Sequence, residues 1–418
     1  MPSNTTTHAA LLKTHYYGNA NTIKDLTYGE SPLLALLKKK EDAGQTNSWP
    51  IIYGHNQSSS AQFSISQGNA GNIGARQWAV TMVKHYNVAQ IQGDLIAYSK
   101  NDNNMFIREA AASIDSSFRG AARRLSLHLF REGWGDLGRV TETSGTTITL
   151  ASGAGVARKD WARNFEVGMV LQFSATQAGD LLRDSGDTLT VTAVDTEAGT
   201  ITANATLANI AGITAYDFMF PHGERQNSAT PARLVMSGLG AWVPSSTPTS
   251  AAFFGVDRTT HVSRLGGQRV DGTSMTIREA LRQGAVKTAR EGGSPSHVFL
   301  GFDRWNDLAG ELGSDVEYTD IQPDETAAVS FRSIVINGPK GPIKVIADNA
   351  CPEDRAFMLD LKTWCLLSAG KYLGFLDEDG NKMLRQASDD GYEVRVGGYH
   401  QLACEAPGFN CNIQLSIT

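Results

Sequence analysis

The chain has 418 residues, long for one core, and a globular composition of 41% apolar and 19% charged residues. No apolar run is long enough to span a bilayer as a helix, and residues 1–19 lack the basic-then-apolar order of a secretory signal. No membrane partner and a cytoplasmic site of action are therefore expected. The net charge of −6 argues against a dedicated nucleic-acid binder, though not against a surface that faces nucleic acid without reading it.

Residues 1–47 read as an N-terminal arm. Its amphipathic piece starts at Ser31, a helix cap, with Pro32 in the first helical position and Leu33, Leu34, Leu36 and Leu37 following. That piece has too little apolar surface to fold alone, so it is expected to dock elsewhere, another subunit included. Residues 48–100 switch to period two. Strand-like alternation at Trp49–Gly54, Phe63 and Ile65, and Trp78, Val80 and Met82 brackets a Ser/Gly/Asn tip, which describes a long β-hairpin. Gly68, Gly71 and Gly74 have the wrong spacing for a dinucleotide loop. An isolated hairpin is barely stable in water, so this one also needs partners.

Residues 101–136 contain the most regular stretch of the chain. Ile107, Ala111, Ile114, Phe118, Ala121, Leu125 and Leu129 recur at spacings of three and four, one apolar seam on a helix of roughly 45 Å. Asn101, Asp102 and Asn103 can cap its start, and Gly133 and Gly135 stop it. A long helix lying across a sheet, the spine of the fold, fits this pattern better than a coiled coil, because alanines in the seam and Gly120 weaken it.

Residues 137–222 are rich in Thr, Ala and Gly, with strands expected at 146–151, 165–173, 188–195, 199–205 and 214–220. Short strands at regular spacing describe a small β-barrel or sandwich, inserted because mixed α/β patterning resumes after it. Residues 223–348 carry helices at Ser274–Arg290 and Phe302–Leu312, a buried strand at His297, and a hairpin around Gly338, which together describe a compact α/β domain. Residues 349–418 supply strands that return to cover the spine. The fold class is α+β.

No catalytic constellation holds. There is no His-Glu-x-x-His, no Gly-x-Ser-x-Gly and no phosphate-binding Gly-x-x-x-x-Gly-Lys-Ser/Thr, and the nine histidines are scattered singly. The acidic clusters Asp377-Glu378-Asp379 and Asp389-Asp390 lack calcium-loop spacing and read as solvated turns. Arg123-Arg124 reads as a solvated or ion-paired helix face. Cys351, Cys365, Cys404 and Cys411 form no Cys-x-x-Cys pair and read as buried free thiols. No catalytic residue, cofactor or metal site is assigned, and arm, hairpin and spine together point to assembly.

Several phrases carry a family resemblance. Asp25-Leu-Thr-Tyr-Gly-Glu-Ser-Pro-Leu-Leu-Ala-Leu-Leu, Pro50-Ile-Ile-Tyr-Gly, Ser99-Lys-Asn-Asp, Gly255-Val-Asp-Arg, Arg264-Leu-Gly-Gly and Glu291-Gly-Gly-Ser-Pro-Ser-His occur in the order arm, loop, spine, α/β centre and strand-rich end. In this order the chain resembles the major capsid proteins of tailed bacteriophages with the Hong Kong 97 fold. The resemblance implies a structural protein that self-assembles as hexamers and pentamers into an icosahedral head around double-stranded DNA. It implies an extended loop lying over a neighbouring subunit through Phe63, Ile65 and Trp78, an arm reaching another neighbour, and a spine core at Ile107, Ile114, Phe118, Leu125 and Leu129. It also implies virion localisation after assembly in a bacterial cytoplasm, with a portal protein and an outward-facing 137–222 insertion suited to a cement protein. The arm-like phrase begins by Asp25, so a separate scaffolding protein is expected. Lys84 or Lys100 with Asn410 or Asn412 could supply the covalent crosslink of some members, but no phrase selects them and none is expected. An encapsulin-like compartment would share the fold; a β-rich adhesin or carbohydrate-binding protein would leave arm, loop and spine unexplained.

Overall fold

The computed structural model describes residues 31–42, 44–92, 103–178, 180–313, 318–321, 331–370, 373–376, 380–386 and 390–417. Side chains are described for all of these except 92, 103–112, 318–321, 331 and 332. The Asp25 phrase of the arm as far as Glu30, Asn101, Asp102, Lys100 and the acidic turn 377–379 lie outside these residues, as do the side chains of Ile107 and Ala111. The chain divides into two compact units, one of Met1–Ser126 with Trp242–Thr418 and one of Leu127–Ala241.

The first unit has a seven-stranded sheet in the order Gln268–Gly272, Cys411–Leu415, Arg355–Leu359, His297–Leu300, Gly341–Ala347, Phe331–Gly338 and Tyr318–Ile321. Two of its neighbouring pairs, Gln268–Gly272 with Cys411–Leu415 and His297–Leu300 with Gly341–Ala347, are parallel. Helices Ile277–Arg290 and Phe302–Leu312 pack on it over a core that includes Leu281, Ala285, Val298, Leu308, Val345, Met358 and Ile413. The first helix starts at Ile277 rather than Ser274, because the Thr276 hydroxyl accepts from Glu279 N at 3.2 Å and caps it there. Glu311 of the second helix accepts from the amides of Ile277 and Arg278, both at 3.0 Å, and satisfies two more donors of that terminus. Gly284 lets the helix sit close, since a Cβ there would lie 2.7 Å from Ile413 Cδ1.

A second, six-stranded sheet is organised around the 14-residue strand Gly391–Cys404. Val83–Gln92 and Trp364–Ser368 pair with it along its length, both antiparallel. The long helix spans Asn103–Phe130, 28 residues, and its last four residues belong to the second unit. Ile114, Phe118, Ala121 and Ala122 form one core with Ala89, Ile91, Val394 and Val396, and the Phe118 and Phe375 rings meet edge-on at 4.9 Å. Leu125 and Leu129 are also fully buried. Asn87 Nδ2 donates to Ser117 O at 2.9 Å, tying strand to helix.

The second unit holds six antiparallel strands in the order Gly138–Arg139, Phe218–Pro221, Val170–Ser174, Leu189–Asp195, Thr200–Ala203 and Thr147–Thr149. A Val140–Leu150 bridge joins the first strand to the last, so the sheet closes as a small barrel around Ile148, Leu171, Phe173, Val191, Ile201 and Met219. The strand expected at 165–173 begins only at Val170, because Lys159–Asn164 is a 3-10 turn and Gly168 sits at φ +91°.

The arm departs from expectation. Leu33 and Leu34 are 0% exposed and Leu37 is 3% exposed, all within this chain, while Leu36 is half-buried. Helix Pro32–Leu36, capped by Ser31, is followed by Lys38–Glu41, which adds a parallel strand to Trp364–Ser368. The arm from Ser31 onward thus has an intramolecular home, and its buried leucines are not free to grip a neighbour. The anchor is Asp348, whose Oδ2 accepts from Ser31 Oγ at 3.0 Å and Leu33 N at 3.2 Å, and whose Oδ1 accepts from Ala350 N at 2.9 Å.

Complete burial raises the Asp348 carboxyl to about 6, against an ordinary 3.8, although its three hydrogen bonds pull the other way. A raised folded value means that the folded chain holds the proton more tightly than the unfolded one. This site therefore stabilises most below about pH 4 and loses that contribution as pH rises through about 6, on the order of 3 kcal/mol. Urea unfolding of the native chain and of Asp348→Asn should show the difference in stability moving against the native chain across that window. A difference that does not change with pH would contradict the assignment.

Candidate assembly surface

The hairpin Thr46–Gly54 with Gly74–Thr81 forms a two-stranded sheet of its own. Its base is clasped by aromatic side chains. Trp78 is 0% exposed, with its ring 5.2 Å from Trp242 and 6.1 Å from Phe253, both edge-on, and Trp242 also meets Trp364 at 6.4 Å. Trp242 and Trp364 each spend their indole N–H, on Leu402 O at 2.9 Å and Asn410 Oδ1 at 2.8 Å. Trp78 Nε1 has no acceptor among the described residues, so Trp78 is held by packing alone.

The phrases at 255–258 and 264–267 act on this clasp. Phe254 takes φ +46° and Gly255 φ +82°, a turn closed by the mutual 3.0 Å bonds of Phe253 and Val256. The turn offers Phe254 O to Ala79 N of the hairpin at 2.9 Å. Arg258 lies 4.4 Å over the Phe253 ring and donates to Trp242 O at 3.3 Å. Arg264 donates to Tyr53 O at 2.7 Å and pairs with Glu291 at 3.2 Å, a second tether. Gly267, at φ +74°, admits Val243, whose Cγ1 would be 2.5 Å from an added Cβ.

Beyond the clasp the hairpin tip has no packing partner among the described residues. Phe63–Gly68 is a short helix, not the strand that the Phe63/Ile65 alternation suggests, and it has no buried residue. Phe63 is 83% exposed, Ile52 61%, Ile73 58% and Ile65 47%. From Ala43 to Ala75 the sequence contains no Asp, Glu, Lys or Arg. An exposed surface that is apolar in patches and free of charge has the composition of an interface core rather than of a solvated loop. Ile52 and Ile73 were not among the residues picked from sequence; the missing charges are the signal that would have found them.

The expected assembly residues therefore separate. Phe63 and Ile65 are presented to the outside, whereas Trp78, Leu33, Leu34 and Leu37 are buried within the chain. Asn410 and Asn412 are 0% and 1% exposed. Asn410 bonds to Asp360 N, Trp364 Nε1 and Ala406 O, and Asn412 Nδ2 donates to Val243 O at 2.8 Å, so neither amide is presented to a neighbour's lysine. All four cysteines are buried and free, and burial pushes their thiols up, Cys411 to about 12.

Trp78→Ala should cost about 3–5 kcal/mol of stability, the range for deleting a buried aromatic. Trp78→Phe should keep most of it, because it discards a donor that has no acceptor. Chemical denaturation of both variants checks this; equal losses would contradict a clasp held by packing.

No protein-family model and no curated protein matches the sequence. Solved structures do match over nearly the whole chain. A capsid protein of cyanophage A-1(L) superposes with TM-score 0.51 at 12% identity, covering 92% of each chain. A chain from Mycobacterium phage Adephagia gives 0.43 at 9% identity, covering 93% of this chain and 91% of the other. The holo-SrpI encapsulin complex of Synechococcus elongatus gives 0.39 at 8% identity, covering 91% and 86%. The first of these carries the conclusion: the chain has the fold of a phage capsid protein.

Proposed function

We propose that the chain is the major capsid protein of a tailed phage, with the Hong Kong 97 fold, and that it assembles as hexamers and pentamers into an icosahedral head around double-stranded DNA. The observation that carries this reading is the uncharged hairpin tip, anchored at its base and left exposed, without a packing partner among the described residues. A second copy supplies what is missing. In this reading Phe63 and Ile65, joined by Ile52 and Ile73, lie on a neighbouring subunit and exclude water there. The seven-stranded sheet with its two helices is the axial domain, and the long helix with the Gly391–Cys404 sheet is the peripheral one. Residues 137–222 are the inserted, outward domain on which a cement protein would sit. Scaffolding and portal proteins are the further partners. The protein acts by binding its own copies and not by catalysis, and it ends in the virion after assembly in the host cytoplasm.

Many modest contacts make such a shell far more stable than its subunit, since anything that binds only the folded chain adds to its stability. Electron microscopy of the purified protein, alone and with its neighbouring genes, should show closed shells, capsomers or tubes. The paired change Phe63→Ser and Ile65→Ser should abolish them while moving subunit stability by less than about 0.5 kcal/mol, as exposed substitutions do. Normal shells from that variant would sink the role of the tip, and a clean monomer from the native chain under both conditions would sink the reading.

A further inference from the structure

We infer that a trough beside the Ile277–Arg290 helix takes the phosphate backbone of nucleic acid, an inference that rests on the shell reading and marks the inward side of the subunit. The trough has a volume of about 620 Å³ and lies between the outer face of that helix and the turn carrying Asn337 and Pro339. Arg282, Val286 and Arg290 follow one another at intervals of four along its wall, so the two arginines start about 12 Å apart along the helix axis. Lys287 flanks them, with Nζ donating to Arg269 O at 2.6 Å and its other protons left over. The charged lining is Arg282, Lys287 and Arg290 against Glu279, in a chain whose total is −6.

Arg282 and Arg290 are exposed, and neither forms an ion pair among the described residues. Cations in the last turn of a helix answer its macrodipole, which accounts for Lys287 and Arg290. It does not account for Arg282, two turns earlier, nor for the Asn337 amide across the trough. Two guanidinium forks in line, with a lysine between them and an open top, match an anion that repeats along a line. A single carboxylate would use one fork and leave the other idle.

The test uses full-length subunits and a short fluorescent DNA duplex, with binding followed by anisotropy over a salt series. Native protein should bind at low salt. The double variant Arg282→Gln and Arg290→Gln should bind about tenfold more weakly, with the slope of log K against log salt shallower by about 2. Unchanged affinity and slope in the variant, or no binding by the native protein, would overturn the inference. So would competition by polyglutamate as strong as by unlabelled DNA, which would assign the trough to an acidic protein segment, or a variant that binds DNA normally but fails to form shells, which would make it a contact between copies. Microscopy of the same samples separates the two readings. Shells whose DNA binding ignores the trough sink this inference alone, and absent shells sink the capsid reading on their own account.

Discussion

The hairpin depends on what happens at Trp78. A two-stranded ribbon has little stability of its own, and this one lacks charge from Ala43 to Ala75. The edge-on contacts of Trp78 with Trp242 and Phe253 give it a root in the folded chain. The strained turn at Phe254 and the Arg264 tether to Tyr53 hold the two strands where they leave that root. Phe254 has no glycine's freedom at φ +46°, a conformation that costs on the order of 1–3 kcal/mol and persists only where packing on both sides demands it. A fixed root is what allows an exposed tip to meet a partner without a large ordering cost.

The same division runs through the arm. Ser31 to Glu41 is bound into the chain by Asp348 and by a parallel strand on Trp364–Ser368, so its leucines contribute to the subunit and not directly to contacts between subunits. A shell built from such a chain draws on surfaces that are already shaped. The hairpin tip and, on the proposed inward side, the Arg282–Arg290 trough are two such surfaces in the first unit.

How far the fold is legible in the sequence depends on how local each signal is. The long helix is written plainly, because Ile114, Phe118, Ala121 and Leu125 all fall on one seam and all are buried. So is Phe302–Leu312, with glycines on either side of it. The tip is not, because Phe63 and Ile65 alone cannot separate period two from one short turn of helix, and no core selects between them. The arm is not either, since the acceptor for Ser31 is 317 residues away along the chain. Trp78 reads from sequence as one more apolar strand residue; only the meeting of 78, 242 and 253 shows that it faces inward. The uncharged run is the one feature of the surface that the sequence displays openly, and it marks Ile52 and Ile73 as well as Phe63 and Ile65.

The most direct measurement is amide hydrogen exchange, followed by mass spectrometry, on the subunit and on whatever assembly it forms. Peptides covering Ala75–Thr81 and Pro32–Glu41 should be protected in both states, while those covering His55–Ile73 should be open in the subunit and become protected on assembly. Exchange at His55–Ile73 that stays as fast after assembly as before it would contradict the central claim, that the rooted hairpin presents its tip to another copy of the chain.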